Sequence, residues 1–108
     1  MSSLTDKKCV PCEVGMPPME AAEVLKLLKD TPNWEWKNSH HLERKFTFTD
    51  FAQALAFVNK VGALAEEEGH HPDIGFGWGY ATIKLFTHKI NGLSENDFIM
   101  AAKINALH

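Results

Sequence analysis

Glu66-Glu67-Glu68-Gly69-His70-His71-Pro72-Asp73 is the stretch where the chain changes from one kind of structure to another. A Gly after a helical run supplies the left-handed residue that ends a helix, and a Pro biases the residue before it towards extended backbone. The stretch therefore predicts a helix that stops at Glu68, a turn carrying His70 and His71, and a strand after Pro72. Imidazole has an ordinary pKa of about 6.5, so two of them in a turn between rigid elements can give and take protons near neutrality.

Upstream, Thr49 or Asp50 caps this helix, and Gln53 three residues after Asp50 resembles a capping box. Phe51, Ala54, Leu55, Val58, Val61 and Leu64 with Ala65 recur at spacings of three and four, which predicts one apolar face laid on a sheet. Glu66, Glu67 and Glu68 crowd the last turn against the helix dipole, a local rule broken beside two histidines. Downstream, Ile74 to Trp78 alternates apolar residues with Gly, and Ala81 to Thr87 is rich in strand formers, with Gly79-Tyr80 as the turn and His88 closing the fourth strand. Gly at alternate strand positions points to a helix, another subunit or a flat ligand against that face.

Further out, Ala21, Ala22, Val24, Leu25, Leu27 and Leu28 mark a first helix over Met19 to Lys29, ended by Asp30-Thr31-Pro32. Trp34 to Lys37 and Leu42 to Phe48 form a first hairpin, with His40-His41 as a solvated pair at its turn. Ser94 and Asp97 form a capping box for a last helix through Phe98, Ile99, Ala101, Ala102, Ile104 and Leu107. The order helix, hairpin, helix, hairpin, helix predicts an α+β fold: two layers, a four-stranded, mostly antiparallel sheet with helices on one face. Residues 1–17 read as an N-terminal arm, ordered only where it docks, and residues 18–108 as one domain.

The 108 residues, 44% apolar, suffice for one core without metals or disulfides. A formal charge of −3, from 11 basic and 14 acidic residues, recommends neither a nucleic acid nor an anionic membrane. No apolar run spans a bilayer and no secretion signal opens the chain, so a cytoplasmic location is expected. Cys9 and Cys12 have the spacing of half a zinc site or a redox pair; the expectation is two reduced thiols on the arm, with no metal.

If the hairpins share one sheet, the end of the second helix and the end of the fourth strand are neighbours, which brings His70 and His71 within reach of His88. Glu66 and Asp97 then lie near enough to orient or charge them, an acid/base site without a nucleophile. Taken singly, each residue has a plainer role: Asp97 as a helix cap, Trp78 as core or stacking platform, a lone His as a hydrogen-bonded structural group.

The pattern Glu66, His70-His71-Pro72, Trp78, His88, Asp97, with Thr87 before His88 and Gly92-Leu93-Ser94-Glu95 after it, resembles the signature of the pterin-4a-carbinolamine dehydratases. The resemblance runs from about Met19 to the C-terminus and leaves out the arm. It implies dehydration of 4a-hydroxytetrahydropterins, formed by aromatic amino-acid hydroxylases, to quinonoid dihydropterin and water in tetrahydrobiopterin recycling, with neither metal nor cofactor. It implies His70, His71 and His88 as catalytic residues, His70 and His88 sharing the acid/base work and His71 binding and shaping the pocket. Glu66, Gly69, Trp78, Phe86, Thr87, Lys89 and Asp97 follow as substrate-binding positions, Glu66 and Asp97 setting protonation and orientation. Gly69 departs from the acid that members often carry there. The partners implied are a small pterin and a second or further copies, as homodimer or homotetramer. The alternatives are an interaction module of the transcription-coactivator type, docking through the last helix, and a metal protein built on Cys9, Cys12 and the histidine pairs.

Overall fold

Asp50 begins the longest helix by its side chain. Its carboxylate accepts the backbone N–H of Gln53 at 2.8 Å, and the Gln53 side chain accepts the N–H of Thr49 at 3.3 Å, so two otherwise unpaired donors are satisfied reciprocally. At the other end Gly69 adopts φ 66°, and its N–H and that of His70 both return to Ala65 O, the left-handed close that a Gly permits. The computed structural model describes residues 4–10 and 16–108. In chain order these form a one-turn helix at Leu4–Asp6, α1 (Ala21–Leu28), β1 (Glu35–Lys37), β2 (His41–Thr47), α2 (Phe51–Glu68), β3 (Asp73–Gly77), β4 (Tyr80–Leu85), a second one-turn helix at His88–Ile90, and α3 (Glu95–Leu107).

The four strands make one antiparallel sheet in the order β1-β2-β4-β3. Alternate residues point to opposite faces. Leu42, Phe46, Ala81, Ile83 and Leu85 therefore share one side, where they are buried with Val24 of α1, Phe57, Val61 and Ala65 of α2, and Phe98, Ile99 and Ile104 of α3. Each large member of that set contributes about 1.5–3 kcal/mol by leaving water. No helix among the described residues is long and apolar enough to cross a membrane.

Several local expectations shift. In α2 the expected Ala54, Val61 and Ala65 are buried and Val58 and Leu64 pack at their margin, but Phe57 joins them while Phe51 and Leu55 are exposed. The second hairpin turns at Trp78-Gly79, and Tyr80 opens β4. That strand ends at Leu85, so His88 begins a one-turn helix pinned by a bridge from Thr87 to Gly92. Gly75 and Gly77 pair with Thr82 and Tyr80 on the face away from the core; a Cβ at Gly75 would meet nothing within 4 Å and one at Gly77 would meet the Tyr80 ring, so among the described residues no helix covers them. His41 is buried, not a solvated turn residue, with the His40 ring packed edge-on to it at 5.4 Å. Helix α3 is buried almost all round from Asn96 to Ala102, which leaves it no free apolar face for a partner.

Candidate functional site

The antiparallel register of β3 on β4 sets Asp73 opposite Lys84. The residues just before β3 and just after β4 therefore meet at the same end of the sheet. There an open cavity of about 510 Å³ is lined by Glu66 to His71 from the α2 end, by Thr87, His88 and Lys89 beyond β4, and by Cys9, Val10 and Asn96. Of the positions singled out in the sequence, His70, His71, His88, Glu66, Gly69, Thr87 and Lys89 thus come together.

Asp97 sits behind the wall, 0% exposed. Its Oδ1 lies 2.7 Å from His70 Nε2, and its Oδ2 accepts both the Thr87 hydroxyl and the Ser94 backbone N–H at 2.9 Å. One carboxylate therefore caps α3 and orients a histidine, each with a different oxygen. A carboxylate here only accepts, so Nε2 of His70 carries the proton, and in the neutral ring Nδ1 holds the lone pair. The same logic runs outward: the Thr87 hydroxyl spends its hydrogen on Asp97 and must accept from Ser94 Oγ, 2.8 Å away. Asp97 has no surface to offer a ligand; what it touches on the cavity side is His70.

His71 Nε2 meets Glu66 Oε2 at 2.6 Å, but these side chains are 61% and 79% exposed. The His88 ring is exposed and packs on Phe86 at 4.1 Å between centroids, tilted by 43°, and Phe86 in turn packs on His40 at 4.5 Å. His40 Nε2 also donates to Asn91 Oδ1 at 2.8 Å, so one side chain holds both ends of the segment that carries His88. Phe86 lies behind His88 rather than in the cavity wall. Trp78 is elsewhere: at about 3.4 Å per strand residue it is roughly 17 Å along β3 from Asp73, 72% exposed at the far turn.

Glu68, Asn96, Ser94 and Val10 were not singled out as site residues. The Glu66 to Glu68 cluster was the available signal for the first, since Glu68 pairs with Lys103 at 2.8 Å and accepts the Cys9 N–H at 2.9 Å. Burial, helped by the charge of Glu68, pushes the Cys9 thiol up to about 12, which disfavours the thiolate that a zinc site or redox pair needs. Cys12 lies outside the described residues. Among those described, no group of three or more His, Cys, Asp or Glu side chains could hold a metal ion.

The family model described as pterin 4 alpha carbinolamine dehydratase matches residues 17–107. The chain belongs to that family. A protein of Rubrobacter xylanophilus, provisionally named pterin-4-alpha-carbinolamine dehydratase, is 55% identical over 107 residues, covering 99% of this chain and all of that one. One of Methylococcus capsulatus with the same provisional name is 58% identical over 106 residues, covering 97% of this chain and 93% of its own. Among solved structures, a transcriptional coactivator/pterin dehydratase from Brucella melitensis superposes with a TM-score of 0.78 at 30% identity, over 83% of this chain and 97% of that one. A pterin dehydratase-like protein described as a RuBisCO assembly factor in the alpha-carboxysome gives 0.60 at 34% identity, over 69% and 88%. The dehydratase family thus accounts for the α+β architecture and for most of the chain's length.

Proposed function

We propose that this chain dehydrates a 4a-hydroxytetrahydropterin to quinonoid dihydropterin and water. The observation that carries this is the buried Asp97 behind His70, at a cavity shared with His71 and His88, in a chain of the dehydratase family. His70 Nδ1, its lone pair fixed by the bond from Nε2 to Asp97, takes the proton from ring N5. The N5–H electrons form the N5–C4a double bond as the C4a–O bond breaks, and protonated His88 delivers a proton to the departing hydroxyl, which leaves as water. One proton is taken and one is given, and oxidation state is conserved overall. The two imidazoles exchange protons with solvent to reset. His71 and Lys89 border the ligand and Glu66 steadies His71. On this proposal the protein acts in tetrahydrobiopterin recycling, in the cytoplasm, beside an aromatic amino-acid hydroxylase, as a homodimer or homotetramer.

The test is dehydration of chemically generated 4a-hydroxytetrahydropterin, followed by ultraviolet absorbance, with wild type beside His88→Ala and His70→Ala. Wild type should accelerate the reaction, and each variant should lose on the order of 10²–10⁴-fold in kcat while keeping its circular dichroism. Full activity in both variants would remove these roles. A wild type that adds nothing to the uncatalysed rate would overturn the proposal.

The names of the two structural relatives favour a second possibility, an interaction module without catalysis on the same fold. A folded wild type that binds a protein partner and leaves the pterin reaction unaccelerated would select it.

A further inference from the structure

Residues 4–10 lie ahead of the family match, which begins at residue 17, yet they are fastened to the rest of the fold at several points. Leu4 is buried in the core, and Lys7 pairs with Glu95 at 3.3 Å. The Cys9 N–H donates to Glu68 Oε1 at 2.9 Å, and Glu68 Oε2 takes Lys103 at 2.8 Å. The Val10 N–H donates to Asn96 Oδ1 at 3.0 Å, and Asn96 Nδ2 donates back to Val10 O. A carboxylate only 2% exposed is costly unless every oxygen is used. Glu68 meets that condition by bridging the arm to α3 one residue before the turn that carries the histidines.

What this fastening presents is informative. Both backbone polar groups of Val10 are bonded to Asn96, so its position is fixed, while its side chain is 65% exposed at the cavity wall. Cys9 lines the same wall with a thiol held in its neutral form. An apolar side chain fixed in place and left uncovered adds little to folding. It is prepaid binding surface, because its ordering cost falls on the protein before any ligand arrives.

We infer that residues 4–10 are a strap that completes the substrate site, with Val10 and Cys9 packing on the carbon surface of the bound bicycle while the histidines act on its reacting edge. This rests on the dehydratase proposal for what the bicycle is. Contacts to non-reacting carbon are made alike in ground and transition states, so they act on KM and leave kcat largely in place.

The experiment uses the full chain carrying Cys12→Ser, so that Cys9 is its single thiol, and compares it with Val10→Ala and Asn96→Asp added. Three quantities are measured: kcat and KM for 4a-hydroxytetrahydropterin, the Kd of pterin (2-amino-4-hydroxypteridine) by quenching of its fluorescence, and the rate of Cys9 alkylation by iodoacetamide. Val10→Ala should raise KM and Kd together by about three- to tenfold, from the two methyl groups partly removed from the contact, with kcat within about twofold. Asn96→Asp keeps the acceptor for Val10 N–H and loses the donor to Val10 O, so it should speed alkylation severalfold and raise Kd. Saturating pterin should slow alkylation of the parent chain. Unchanged KM, Kd and alkylation in an active parent and both variants would overturn the strap and leave the dehydratase proposal standing. A parent that binds pterin without turnover would overturn the dehydratase proposal, and the Kd series would still decide the strap. A parent that neither binds pterin nor accelerates the dehydration would overturn both.

Discussion

Two histidine–carboxylate pairs adjoin the cavity with nearly the same bond length and opposite surroundings. His70 meets Asp97 at 2.7 Å with side chains 12% and 0% exposed; His71 meets Glu66 at 2.6 Å out in water. Distance alone would rank them equal. The buried pair differs because water cannot substitute for a missing partner there, whereas at Glu66 it can. Asp97 is also committed on its second oxygen to Thr87 and Ser94, so its position is set by three donors at once, while Glu66 holds only His71 among the bonds described.

The largest effect should come from Asp97→Asn. Its amide nitrogen can only donate: towards His70 it makes Nε2 the acceptor and moves the ring proton to Nδ1, where the base's lone pair is lost, and towards Thr87 and Ser94 it leaves both of their donors unpaired. We expect kcat to fall on the order of 10²–10⁴-fold, with stability down about 1–3 kcal/mol from the orphaned buried donors. Turnover assays and urea unfolding check both; a variant within threefold of wild type would mean that burial adds nothing to this pair.

Glu68 with Lys103 is a third case, 2% and 15% exposed, that orients no histidine. Lys103→Met should cost about 1.5–3 kcal/mol, the value of a hydrogen bond to a charged group, read as a shift in the urea midpoint. The bonds from Lys103 and the Cys9 N–H hold the Glu68 carboxyl below its ordinary 4.5. A lowered carboxyl contributes stability that is present above that ordinary value and lost as pH falls through the folded one. Stability measured between pH 6 and pH 3 should therefore drop less steeply below about 4.5 in Lys103→Met than in wild type, and equal slopes would count against the pair.

His41 sharpens the comparison from the other side, since it is a buried histidine whose carboxylate partner, Glu43 Oε1, stands off at 3.8 Å. Burial, then the charges of Lys84 and His40, lowers its pKa from the ordinary 6.5. Because the folded chain binds its proton less readily than the unfolded chain, stability is complete above 6.5 and falls as pH drops below it. His41→Phe should show a flatter stability profile than wild type over pH 7 to 5, measured by thermal unfolding.

Glu66→Gln should do least: a stability change of about 0.2–1 kcal/mol at most, kcat within about twofold, and whatever effect exists gone in about 1 M salt, where the screening length is near 3 Å. A tenfold loss of kcat would place Glu66 on a level with Asp97.

The ends of α2 were legible in the sequence because caps are local chemistry: Asp50, Gln53 and Gly69 act within a turn of themselves. The meeting of His70, His71 and His88 at one cavity was legible too, because antiparallel pairing of β3 and β4 forces it. The inward side of α2 was legible through Ala54, Val61 and Ala65, but its margin was not: Phe51 and Phe57 both suit an apolar stripe, and only the sheet's position chooses Phe57. His41 defied its local setting for the same reason: its cover comes from His40 at the turn and the strands beside it. Asp97 was read as cap or catalytic partner, and nothing in spacing shows that its two oxygens divide the tasks. The anchors of the arm, Glu68 and Asn96, became visible only when folding closed separations of 59 and 86 residues.

Those separations bear on how the protein is made. Val10 leaves the ribosome 86 residues ahead of Asn96, so the wall they share cannot form until that whole span has been synthesised. Local helices form quickly, and contacts that close long loops come late. A nascent chain can therefore hold its sheet and second helix together while its cavity is still open on one side, and whatever the finished site binds must wait for α3.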